Sequence, residues 1–225
     1  MNKARVATVF APYVLISVVY LVAQYLGDDA VTDFAKPLLM PVLLVGFLFA
    51  VPRVRSELAI LATLALVLSW LGDVTLGSVG EIWFLVGLGF FLLAHVAYVV
   101  LFLRALRTGP LSRWALVYVV WWLGLVIVLW PHLGNLLIPV AIYGLVLGAM
   151  GAIGLSCNRW IAFGGALFVI SDSLLGLNRF HPDFELWQVH TLIMLTYIAA
   201  QGLIAYGAVR TAYTFDTDRT RSTTS

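Results

Sequence analysis

From about residue 6 to residue 209 the sequence is a series of apolar runs separated by short polar breaks, each run long enough for a membrane-crossing helix. A helix of about 20 residues crosses a hydrocarbon layer roughly 30 Å thick while satisfying its own backbone polar groups. Only 11% of the residues are charged and 62% are hydrophobic, against about 25% charged in a soluble domain. The chain therefore reads as an integral, multi-pass membrane protein. The runs fall near 6–26, 34–51, 57–76, 82–103, 112–130, 134–155, 160–177 and 188–209. This predicts an all-α bundle of eight transmembrane helices in a single domain, residues 1–210, followed by a disordered polar cytoplasmic tail, 211–225. The expected breaks are Gly27–Asp29, Pro52–Arg55, Gly77–Gly80, Thr108–Pro110, Trp130–His132, Asn158–Arg159 and Asn178–Glu185. The first run follows Lys3 and Arg5 and lacks a small-residue cleavage site, so it reads as a retained helix rather than a signal peptide.

Eight crossings sort the charges. Lys3, Arg5, Arg53, Arg55, Arg104, Arg107, Arg113, Arg159, Arg210, Arg219 and Arg221 fall on one side, and only Lys36 and Arg179 on the other. The positive-inside rule then makes both termini cytoplasmic. Asp28, Asp29, Asp33, Glu81, Asp183 and Glu185 gather outside. An internal repeat is also visible. Leu38–Gly46 (LLMPVLLVG) aligns with Leu136–Gly144 (LLIPVAIYG), and Asp73 with Asp172 at nearly the same offset. Glu81–Trp83 further resembles Glu185–Trp187. Two parallel four-helix repeats, about 6–104 and 112–209, are expected, packed so that the third and seventh helices meet.

The two aspartates carry the functional reading. An acid inside an apolar span costs roughly 2.5–3.5 kcal/mol on insertion scales and marks a functional site by default. Two carboxylates brought together share a proton, so that one donates while the other accepts. That is acid–base chemistry needing neither a metal nor a cofactor. A helix cap, or pairing with Lys36, is the alternative use for each acid. Ser69 and Ser171 stand beside them in sequence, ready to hydrogen-bond the acids or to serve packing. His95 lies well inside the fourth run, and is either a functional group or a histidine satisfied by a neighbouring helix. Tyr143 and Gln201 sit at similar depth in the sixth and eighth runs. Lys36 is placed to anchor at the interface, neutralise an acid or bind a phosphate head group. Asn178 and His190 mark the outer rim. The single cysteine, Cys157, excludes an internal disulfide, a metal cluster and a redox pair. No phosphate loop, His-Glu-x-x-His helix or nucleophile elbow is present, and nothing indicates nucleic-acid binding.

Taken together, Lys36-Pro37, Ser69-x-x-Gly72-Asp73, Gly87-x-x-x-Phe91-x-x-x-His95-x-x-Tyr98, Tyr143, Gly165-Ala-x-x-Phe168-x-x-Ser171-Asp172 and Tyr197-x-x-x-Gln201 form an ordered set. The set resembles the YhhN, or lysoplasmalogenase, family of multi-pass membrane proteins over about residues 10–207. The resemblance implies about eight helices and hydrolysis of the vinyl ether bond of a lysophospholipid, giving a fatty aldehyde and a glycerophospho head group. It places the essential acids at Asp73 and Asp172, with supporting polar positions at Lys36, His95, Tyr98, Tyr143 and Gln201. The expected partners are the lysophospholipid and membrane lipids, and the expected location is a bacterial-type plasma (inner) membrane. A proton-coupled transporter using the same pair of acids is the competing expectation. An intramembrane aspartyl protease is disfavoured because Leu71-Gly72-Asp73 lacks the Gly-x-Gly-Asp pattern.

Overall fold

A computed structural model describes residues 3–78 and 80–222, with side chains described for 8–78 and 80–215. The side chains of Lys3, Arg5, Arg219 and Arg221, and residues 223–225, lie outside the described residues. Among the described residues every regular element is helical: α1 (Lys3–Leu26), α2 (Asp29–Ala50), α3 (Glu57–Leu76), α4 (Glu81–Leu101), α5 (Leu116–Leu133), α6 (Leu137–Gly154), α7 (Arg159–Phe180) and α8 (Val189–Ser222). A π-helical turn, Phe102–Leu106, extends α4, and short 3-10 turns precede α5 and α6. Among the described residues seven stretches are long and apolar enough to cross a membrane when Arg113–Gly154 is taken as one, so the protein is an integral membrane protein. Large apolar side chains such as Leu15, Phe49, Val120, Ile127 and Phe163 stay exposed on the outside of the bundle, where a bilayer covers them.

The stretch Arg113–Gly154 has 42 residues and would reach about 63 Å as one straight helix. It folds back on itself instead. Gly134 adopts φ +49°, a left-handed conformation that costs glycine little, and ends α5. Trp122 Nε1 then donates to the Ala141 carbonyl at 2.9 Å, Trp121 lies against Gly148, and Tyr118 against Gly151. As one helix descends the other rises, so α5 and α6 are antiparallel. The same reasoning holds for α3 with α4, where Gly72 meets Phe91 and Gly87 meets Leu76, and for α7 with α8, where Gly164 meets Ile204 and Gly207 meets Ile161. Successive helices are packed against each other: α1 on α2, α2 on α3, α5 on α6, α6 on α7. Between the halves, α4 packs on α6 and α2 packs on α8.

Several boundaries differ from the sequence reading. α2 starts at Asp29, where the Asp28 side chain accepts from Val31 N, because an N-cap needs only a short polar residue before the turn. α5 passes through Pro131 to Leu133, although a proline there forgoes one hydrogen bond to the preceding turn. α7 carries Asn178 and Arg179 to Phe180. α8 continues beyond residue 211, where the sequence reading begins a tail.

The arginine-rich end of the bundle is closed by packed side chains. Phe47, Ala59, Leu101, Phe102, Leu106, Met150, Ile161, Ile204 and Ala208 are all buried there. The opposite end, where odd-numbered helices finish and even-numbered ones begin, is hollow.

Candidate functional site

The hollow is a cavity of about 640 Å³ lined from all eight helices, within the ordinary range for small-molecule sites. Its walls are largely apolar, with Leu76, Phe84, Leu88, Phe91, Leu129 and Met194 among them. Into it project Asp73 and Asp172 together. Asp73 stands in the last turn of α3 and is 7% exposed. Asp172 stands two turns before the end of α7, with its side chain 8% exposed.

Each carboxylate is held by a tyrosine from an even-numbered helix. Tyr197 of α8 donates to Asp73 Oδ2 at 2.7 Å, and Tyr143 of α6 donates to Asp172 Oδ2. Behind Tyr197 runs a buried chain of donors. Gln201, one turn along α8, donates through Nε2 to the Tyr197 hydroxyl at 3.3 Å, and Tyr98 of α4 donates to Gln201 Oε1 at 2.5 Å. All three side chains are at most 4% exposed. A chain donating in one direction aligns its dipoles and fixes its members in place. Each carboxylate's Oδ1 is left without a protein donor among the described residues. Ser69 is fully buried one turn before Asp73, beside the Tyr98 hydroxyl but without a well-formed hydrogen bond. Ser171 donates to the Ile193 carbonyl at 3.0 Å, so it ties α7 to α8 and does not serve the acids.

His95 is the unusual member. It is fully buried, yet neither ring nitrogen has a hydrogen-bond partner among the described residues. Its Nε2 lies 3.8 Å from Asp172 Oδ2. The ring is gripped by Phe168 at 4.7 Å, Tyr143 at 5.2 Å and Phe91 at 6.4 Å between centroids. A histidine satisfied by its neighbours would have spent its ring nitrogens, whereas an unpaired buried donor costs about 1–3 kcal/mol. Lys36, Asn178 and His190 line the cavity nearer its mouth. Thus His95 and Tyr143 lie against Asp172, Gln201 and Tyr98 stand one and two hydrogen bonds behind Tyr197, and Lys36 lines the same cavity without pairing with either acid among the described residues, while Ser171 spends its hydroxyl on Ile193 and Asn178 lines the wall.

Sequence reasoning left two contributors aside. Tyr197, the donor to Asp73, was visible only as the residue one turn before Gln201 on the same helical face. Arg179 was read for topology alone, yet lines the cavity. Among the described residues no three His, Cys, Asp or Glu side chains come together as a metal would require.

The sequence model of the YhhN family matches residues 31–208, a segment that contains both acids, both tyrosine donors and His95. The chain belongs to the YhhN family. Proteins named lysoplasmalogenase from Mycobacterium bovis and Mycobacterium tuberculosis are 39% identical to it over 153 residues, which is 64% of this chain and 58% of each relative. The match therefore spans less than two thirds of those mycobacterial relatives. Lysoplasmalogenase TMEM86B of Homo sapiens is 34% identical over 210 residues, or 89% of this chain and 86% of the human protein. No solved structure matches this YhhN chain.

Proposed function

We propose that the chain is a membrane-embedded hydrolase that cleaves the vinyl ether bond of lysoplasmalogen-type lysophospholipids. The observation that carries the reading is the pair of aspartates on α3 and α7, each held by a tyrosine, inside one largely apolar cavity. The names of the family relatives support the same reaction class.

A vinyl ether hydrolyses by protonation of the carbon farther from oxygen. This gives an oxocarbenium ion; water adds to it, and the hemiacetal collapses to aldehyde and alcohol. One water is consumed and the catalytic proton is returned. The reaction requires an acid to protonate carbon, a negative charge beside the cation, and a base for water. Asp73 and Asp172 divide these tasks. The free Oδ1 atoms are the ones available to substrate or water, because each Oδ2 is engaged by tyrosine. His95 acts on Asp172 as a positioning and proton-holding neighbour. The apolar walls take the single chain of the lysolipid, which reaches the site sideways from the bilayer.

The reading extends to architecture. Eight crossings, built from two parallel four-helix repeats with both termini cytoplasmic, are supported by the antiparallel α5–α6 hairpin. The matched contacts of α4 on α6 and α8 on α2 support it too. Lys36 and Arg179 then lie at the outer face of a bacterial-type plasma membrane. Proton-coupled transport, the competing reading, draws on the same pseudo-symmetry. It needs a route through the arginine-rich end, which the buried Phe47, Phe102, Met150 and Ile161 fill.

The test is aldehyde release by purified protein in detergent from a vinyl-ether lysophospholipid and from its ester-linked counterpart. Aldehyde from the first and no fatty acid from the second is expected. Intact recovery of the vinyl ether, with uptake into proteoliposomes, would replace the hydrolase with a carrier.

A further inference from the structure

The cavity holds two permanent cations that acid–base chemistry does not use. Lys36 comes from α2 and Arg179 from α7, and both line the same cavity as the aspartates. Neither has a carboxylate within ion-pairing distance among the described residues, where Arg104–Glu57 is a close ion pair and His95 Nε2 stands 3.8 Å from Asp172 Oδ2. The charge of Lys36 reaches Asp73, yet the two do not form a pair. Arg179 lies over the ring of Phe84 at 5.0 Å, and that ring packs edge-on against Phe180 at 5.7 Å. A guanidinium laid on an aromatic face keeps its donors free at the rim of the plane. Neutral donors stand near. Gln24 accepts from the Tyr20 hydroxyl through Oε1 at 2.8 Å, leaving its amide N–H groups open, and Ser78 and Asn178 line the same wall.

We infer that Lys36 and Arg179 form a clamp for the phosphate of a single-chain amphiphile, and that this clamp sets the depth at which the reacting bond lies. This rests on the hydrolase reading and deepens it. Two unpaired cations beside open donors at the mouth of an apolar cavity are complementary to an anion that carries a hydrocarbon chain. The spacing fits as well. Asp172 and Arg179 are seven residues apart on α7, hence on one face and separated by about 10 Å along the axis. An extended glycerophosphate linker measures roughly 9 Å from phosphorus to the outer vinyl carbon at ordinary bond lengths. With phosphate at Arg179 and Lys36, that carbon falls level with the acids. An amphiphile lacking phosphate has nothing to fix its depth.

The test pairs ligands with and without phosphate. Full-length protein in neutral detergent is given 1-alkenyl-glycerophosphoethanolamine and 1-alkenyl-glycerol, and kcat/KM is measured for each. Wild type should favour the phosphorylated substrate by at least about 30-fold, the worth of one or two hydrogen bonds to a charged group. In Lys36→Gln/Arg179→Gln the ratio should collapse to within about three-fold, and Arg179→Lys should restore part of it, since it keeps the charge and loses the fork. Equal use of both substrates by wild type would overturn the clamp. So would variants that weaken both substrates alike, as a merely structural role would. Should wild type cleave neither, the hydrolase reading fails. The clamp is then decided by binding of the uncleavable 1-alkyl analogues: the same phosphate preference, lost in the double variant, sustains it, and equal binding overturns it. Inorganic phosphate is the final arm. Displacement of the analogue only at high millimolar concentration marks a lipid-borne phosphate, whereas micromolar displacement would show a site for free phosphate and overturn the amphiphile.

Discussion

At the scale of single residues, His95 separates function from stability. A side chain fully buried with both nitrogens unpaired adds nothing to folding that an apolar ring of similar shape would not, because removing an unsatisfied group is neutral or stabilising. His95→Phe should leave the unfolding midpoint in detergent unchanged or raised, while aldehyde release falls by at least about 10-fold. A drop in midpoint with activity intact would return His95 to a packing role. The acids themselves were legible in the sequence, since a carboxylate in an apolar run is conspicuous against its surroundings. Their donors were less so. Tyr143 stood out by depth, but Tyr197 is one of nine tyrosines, and nothing local distinguishes one that donates to Asp73 from one that packs. Ser171 stood open between bonding an acid and packing; a helix points neighbours about 100° apart, and Ser171 takes the second use, facing Ile193 on α8.

At the scale of elements, the helices were legible because their length is set by the bilayer and their breaks by short polar runs. The ends were not. Asp28 caps α2, which begins at Asp29, five residues before the expected start, and α5 runs on through Pro131 to Leu133 although a proline ordinarily ends a helix. Small residues decide how closely the hairpins pack. A Cβ added at Gly164 would lie 2.9 Å from the Ala200 carbonyl oxygen and 2.8 Å from Ile204 Cγ1, while one at Gly124 meets nothing within 4 Å. The carbonyl belongs to the backbone and cannot swing aside. Gly164→Ala should therefore cost about 1–3 kcal/mol by overpacking, and Gly124→Ala should be neutral or slightly stabilising through helix propensity. Thermal unfolding of the two variants in the same detergent compares them directly.

At the scale of the molecule, topology and chemistry depend on each other, since the cavity lies toward the end opposite the arginine-rich one, with Arg179 the one arginine among the described residues of its lining. Eight crossings place the α5–α6 turn on the cavity side. The native thiol is a poor reporter, because burial pushes Cys157 up to about 12. In a Cys157→Ser background, Asn135→Cys should react with a membrane-impermeant maleimide in intact cells, and Thr108→Cys only after permeabilisation. Protection of position 135 would leave seven crossings. The all-helical membrane class and the family were within reach of the sequence, but the expected packing of the third helix on the seventh was not met: among the described residues α3 and α7 are not packed against each other, and their acids share only the cavity between them, which arises from tertiary packing. The account rests finally on two aspartates acting as one unit. The measurement that tests it most directly is single-turnover aldehyde release by wild type, Asp73→Asn, Asp172→Asn and the double variant, each verified as folded. Each single substitution should cost at least about 100-fold, and the double no more than either single, as for groups that share one task. Either single variant retaining more than about a tenth of the wild-type rate, too small a loss for an essential acid or base, would contradict it.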